Sequence, residues 1–124
     1  MSKYLDNKHW LVTLEIGNAE NNYIVISDKN PIEDEDFCEN ILQELEADFV
    51  SDYSYLYHDT PQEEDYATEE EYNEAVDAWY NDFVSEISVH SKLITKDNIE
   101  NYGESWLDSQ PVIWNLELIW YILY

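Results

Sequence analysis

The chain has 124 residues, with 29 Asp and Glu against five Lys and no Arg, and a formal net charge of −24. That balance excludes ordinary nucleic-acid binding, which needs clustered Lys and Arg to displace counterions from phosphates. It also disfavours docking on anionic membrane surfaces.

Acidic chains are often disordered, but those chains are poor in aromatic residues. Here 44% of residues are hydrophobic and 15% aromatic, with five Trp and eleven Tyr. The chain therefore reads as folded, and its length suits a single domain over residues 1–124. Cys38 is the lone cysteine, so no disulfide framework exists and a reducing, cytoplasmic setting is expected. Residues 1–6 offer no apolar signal core.

The N-terminal part reads as a β-hairpin. Trp10, Val12, Leu14 and Ile16 alternate with Leu11, Thr13 and Glu15, the period of a half-buried strand. Residues 17–22 supply turn formers, and Tyr23 to Ile26 is a second β-branched run.

A charge block follows. The 62 residues from Asn30 to Ser91 contain twenty acids and no lysine, so −20 of the −24 lies in half the chain. Blocks of one sign mark interaction surfaces more often than cores. Two helices are predicted inside it. Asn30-Pro31 with Glu33 offers an N-cap, a proline at the first helical position and a capping-box acid. Phe37, Ile41, Leu42, Leu45 and Phe49 then recur on one helical face. The second helix starts at Thr68 with Glu71 three residues on, and its apolar face is Tyr72, Ala75, Val76, Trp79 and Phe83. Between them, Ser51 to Ala67 reads as a polar, tyrosine-rich loop.

After the block, Ile87, Val89, Ser91 and Leu93 alternate as a third strand. Asp97 to Tyr102 reads as a short helical turn stopped by Gly103. Pro111 then introduces an apolar run, Val112 to Tyr124, read as a strand buried mostly on both faces, with a helix as the alternative. It is too short to span a bilayer. The expected fold is α+β, a small antiparallel sheet of about four strands with two acidic amphipathic helices packed on one side.

No catalytic residues are assigned. His9, His58 and His90 are widely separated, Cys38 sits mid-helix, and two distant glycines, Gly17 and Gly103, cannot make a phosphate loop. Asp28, Asn30 and Glu39 match positions 1, 3 and 12 of a calcium loop, but Glu33 replaces its required glycine and Pro31 interrupts it. No metal site and no cofactor are expected.

The block suits phosphate mimicry. Twenty carboxylates at the charge density of duplex DNA correspond to about 34 Å of helix axis. Acids at i, i+3 and i+4 of a helix stand about 5–6 Å apart, comparable to successive phosphates. Glu35, Glu39 and Glu46 form one such row, and Glu70, Glu74, Asp77 and Asp82 another. Asp52, Tyr55, Asp59, Glu63, Glu64 and Asp65 add acids and an aromatic anchor between them. All thirteen are candidate partner-binding residues. The expected partner is a protein with a basic nucleic-acid-binding cleft, and no nucleic acid is bound directly.

In this respect the chain resembles the small, strongly acidic phage proteins that mimic DNA and block host defence nucleases, among them anti-restriction and anti-CRISPR proteins. More narrowly, Tyr23 to Ser27, the Glu33 to Phe49 helix, Asp59 to Asp65, Glu69-Glu70-Glu71-Tyr72 and Ile87 to Leu93 follow the order of acidic anti-CRISPRs that occupy the PAM-reading region of Cas9. The likeness covers residues 23–93 and rests on order and composition, and the aromatic C-terminal run is not part of it. It implies a non-enzymatic, stoichiometric inhibitor whose carboxylates meet the arginines that read the PAM, acting in the host cytoplasm. A third reading, an assembly protein that uses Val112 to Tyr124 as a dimer strand, is compatible with mimicry, so a monomer or homodimer is expected. The competing class is a bacterial immunity protein that neutralises a nuclease toxin, which is also small, acidic and directed at a basic site.

Overall fold

The computed structural model describes residues 2–54 and 60–114. Its centre is a hairpin of β1 (His9–Ile16) and β2 (Ala19–Ile26). Ile16 pairs with Ala19, so the connection is the two residues Gly17-Asn18 rather than the six expected. Of that pair only Gly17 has a positive φ, +57°, the pattern of a type II′ turn with glycine at its first central position. The tighter turn leaves residues 19–22 free to pair, and Thr13 Oγ1 donates to Asn22 Oδ1 across the strands at 2.7 Å.

β3 (Ser88–Leu93) pairs antiparallel with the outer side of β1. β4 (Val112–Trp114) joins β2 in parallel, giving the order β3-β1-β2-β4. The fold is therefore α+β, but its sheet is mixed rather than antiparallel. β4 follows α5 and runs beside β2 in the same direction, with Ile24 N donating to the Pro111 carbonyl at 2.9 Å where the two meet. Residues 115–124, the rest of the expected C-terminal strand, lie outside the described residues.

The first acidic helix differs from expectation in two ways. Asn30 does cap, accepting from Ile32 N, but only for the 3₁₀ turn Pro31–Glu33. The α-helix is capped by Asp34, whose backbone is extended and whose Oδ1 accepts from Asp36 N and Phe37 N. α1 (Glu35–Phe37) then passes through a π-helical segment, Cys38–Leu42, into α2 (Gln43–Tyr53).

That π turn has a purpose in packing. In an unbroken α-helix, Phe37 and Leu45 would point about 80° apart. A π turn holds one extra residue and so turns later side chains back by about 100°. Phe37, Leu45 and Phe49 thereby come into line, and all three are buried.

α3 (Glu69–Glu86) starts as expected, with Thr68 Oγ1 accepting from Glu71 N at 3.1 Å. α4 (Lys96–Tyr102) has a complete capping box between Thr95 and Asn98 and ends at Gly103, φ +87°. α5 (Glu104–Asp108) follows at once and was not expected from periodicity, being too short to show one.

The strands bury both faces. Val12, Leu14, Tyr23 and Val25 cluster with Phe37, Leu45, Phe49, Val50 and Phe83 of the acidic helices. The alternate residues Leu11 and Ile24 cluster with Tyr4, Ile94 and Leu107, supported by Ile99 and Trp106. Because Phe83 is fully buried against Phe49 and Trp79, Phe83→Ala should lower unfolding free energy by about 3–5 kcal/mol in urea titrations. Deleting the exposed Asn40 removes the extra residue of the π turn and leaves Phe37 and Leu45 seven positions apart, still in line, so it should cost far less in urea titrations than inserting an alanine after Asn40, which turns the two out of line.

Candidate functional site: the acidic helical surface

The surface is built on α3. Phe83 and Trp79 turn inward, so the side opposite them faces solvent. Glu70, Glu74 and Asp77 fall at i, i+4 and i+7 on that side, and all three are exposed. They are the row that sequence reasoning expected, less one member. Asp82 is also exposed but lies about 120° around the helix from Glu70. It belongs to a flanking group with Glu71 and Glu86, also exposed.

An acidic turn abuts the start of this helix. Glu63–Asp65 is a 3₁₀ turn with Glu63, Glu64 and Asp65 all exposed. Tyr66, which follows it, packs its ring on Tyr72 in the first helical turn of α3, centroids 5.9 Å apart. The acids of the turn and of α3 therefore form one continuous group.

The row on the first helix is broken. Glu35 and Glu39 are exposed, but Glu46 is half-buried. The π turn that aligns Phe37 with Leu45 also rotates Glu46 by about 100° out of the outward row. Burial raises its carboxyl above the usual glutamate value, and its charge helps burial to raise the neighbouring Tyr80 phenol. The outward acids of α2 are instead Glu44 and Asp48, an i, i+4 pair that reasoning from an unbroken helix passed over.

Asp52 is exposed but tied to the sheet, where its Oδ2 accepts from Asn21 Nδ2 at 3.1 Å. Its neighbour Tyr53 packs its ring at a tilt on Phe49, centroids 4.7 Å apart, and donates to the Glu20 carbonyl, so it serves the protein's own core. Tyr55 and Asp59 lie outside the described residues.

The acids are left uncompensated. Among the described residues the ion pairs are Lys3–Asp108, Lys8–Asp28, His9–Asp6, Lys29–Asp34 and His90–Glu15. Of the block's acids only Asp34, buried at the cap of α1, takes part. Lys92 donates to Tyr102 Oη and lies over that ring, away from α2 and α3. Among the described residues no three His, Cys, Asp or Glu side chains converge as metal ligands, and no helix is long and apolar enough to cross a membrane.

The half-burial of Glu46 gives a pH test. Its raised folded-state pKa means that its charged form opposes folding, a penalty present at neutral pH and absent once both states are protonated. Glu46→Gln should therefore raise the melting temperature at pH 7, and the gain should vanish as the pH falls through the glutamate range.

Comparison of the chain with protein-family models, with curated proteins and with solved structures finds no match in any of the three.

Proposed function

We propose that the protein is a non-enzymatic, stoichiometric inhibitor that occupies the basic nucleic-acid cleft of a host defence nuclease, with a CRISPR-Cas effector such as Cas9 as the favoured target. One observation carries the reading: Glu70, Glu74 and Asp77 stand in an exposed row on a rigid helix, continuous with Glu63, Glu64 and Asp65, with no lysine paired to any of them among the described residues.

A surface of this kind costs stability through self-repulsion and returns nothing to the fold. It becomes favourable against a basic partner, where each carboxylate takes the place of a phosphate. The helix backbone that carries the carboxylates is already ordered, so binding costs the side chains' rotamer freedom but no folding of the segment. The surrounding charge also steers approach, giving fast association that salt slows. The target is intracellular, so the proposal places the inhibitor in the cytoplasm of the cell whose nuclease it meets.

The test is a triple variant, Glu70→Gln, Glu74→Gln and Asp77→Asn. Three exposed ion pairs at about 0.5 kcal/mol each predict roughly tenfold weaker inhibition at low salt. The melting temperature should hold or rise, since like charges are removed. A pull-down from host lysate with DNA as competitor identifies the target, and inhibition unchanged by the triple variant at several salt concentrations would sink the proposal.

A further inference from the structure

The sheet carries a groove of about 440 Å³ with no residue of the acidic helices in its walls. Its floor is a row in register across three strands, where His9 of β1 pairs with Ile26 of β2 and Ile26 pairs with Trp114 of β4. Ile24 and Val112 make the next pair along. The Tyr4 ring stands edge-on to the imidazole, centroids 5.3 Å apart. Neighbouring strands are about 4.8 Å apart, so the row runs about 10 Å from imidazole to indole.

His9 is only 9% exposed, and its two ring nitrogens differ in their surroundings. Nδ1 lies 2.7 Å from Asp6 Oδ1, which also accepts from Lys8 N at 2.9 Å. Burial works to raise the Asp6 carboxyl, but these two hydrogen bonds hold it below the usual aspartate value. An ionised carboxylate can only accept, so Nδ1 carries the shared proton and Nε2 of the neutral ring keeps a lone pair. Nε2 has no partner among the described residues. A buried acceptor of this kind is satisfied only when something donates to it.

The charges of the rim are already paired: Lys3 with Asp108 at 3.3 Å, Lys8 with Asp28 at 3.6 Å, and Asp6 with His9. An ionic head group would find no spare counter-charge here, and an anion would also meet the field of a net charge of −24. A neutral donor meets neither obstacle.

We propose that this groove binds a small neutral amphiphile, an apolar body about 10 Å long with a terminal hydroxyl that donates to His9 Nε2. The body lies along Ile26 to Trp114. Mostly apolar walls with a few placed polar groups are the usual make-up of small-molecule sites. Ile24 and Tyr4 belong to the apolar cluster separate from the one beneath the acidic helices, so the inference does not rest on the target proposed above.

Calorimetry on the full chain tests it, with 4-propylphenol set against 4-propylanisole, whose methyl group replaces the hydroxyl proton. The phenol should bind saturably, one per chain, in the millimolar range or tighter. The anisole should bind about fivefold more weakly, the loss of one neutral hydrogen bond. In the ¹⁵N-labelled parent, the His9 Nε2 resonance should move with the phenol and hold still with the anisole, a readout that needs no substitution. Because Trp114 is 56% exposed, Trp114→Ala should keep the parental far-UV circular dichroism and weaken both probes. His9→Phe should bind the two probes alike. A parent that shows no saturable phenol binding overturns the proposal, and so does one with equal affinity for phenol and anisole. Binding that leaves the His9 resonance unmoved and survives Trp114→Ala lies elsewhere on the chain and overturns it too.

Discussion

The structure depends on one burial constraint: β1 and β2 are apolar on both faces, so each face must be covered. On one side Val12, Leu14, Tyr23 and Val25 need a partner, and the residues that meet them come from the helices of the acidic block. Burying a large apolar side chain is worth about 1.5–3 kcal/mol, while an unpaired buried carboxylate costs far more. Once Phe37, Leu45, Phe49 and Phe83 turn inward, the acids on the same helices have only solvent to face. The outward row of Glu70, Glu74 and Asp77 is thus enforced by the core beneath it.

The π turn at Cys38–Leu42 shows how closely core and surface are coupled. One extra residue brings Phe37 into line with Leu45 and Phe49, and the same rotation carries Glu46 into a half-buried flank. The outward positions pass to Glu44 and Asp48. A surface designed on charge spacing alone would have kept Glu46, and this protein gives it up for better packing. Among the described acids of the block Asp34 is also drawn inward, and it is compensated by the cap it makes and by Lys29 at 3.8 Å.

Charge is also segregated. The cations that form ion pairs lie on the N-terminal turn, the β1–β2 hairpin, the segment after β2 and β3, and none reaches α2 or α3 among the described residues. Repulsion within the acidic layer is tolerated because the apolar clusters on both faces of the sheet hold the layers together. That division of labour leaves the outward acids of α2 and α3 with no cation beside them among the described residues.

Much of this was legible in the sequence alone. The alternation of Trp10 to Ile16, the cap at Thr68, the stop at Gly103, the inward stripe ending at Phe83 and the outward row from Glu70 are local patterns, set by the periods of strand and helix. Tertiary structure decided the rest. The parallel seat of β4 pairs Val112 with Ile24, far apart in sequence, and the tie between Asp52 and Asn21 joins residues 31 apart. The burial of Glu46 follows from a helical insertion that only the sheet's demand for Phe37 explains. Composition therefore determined that the protein would be strongly acidic and folded. Which carboxylates reach solvent was settled by packing, because each side chain's direction depends on what its neighbours must bury.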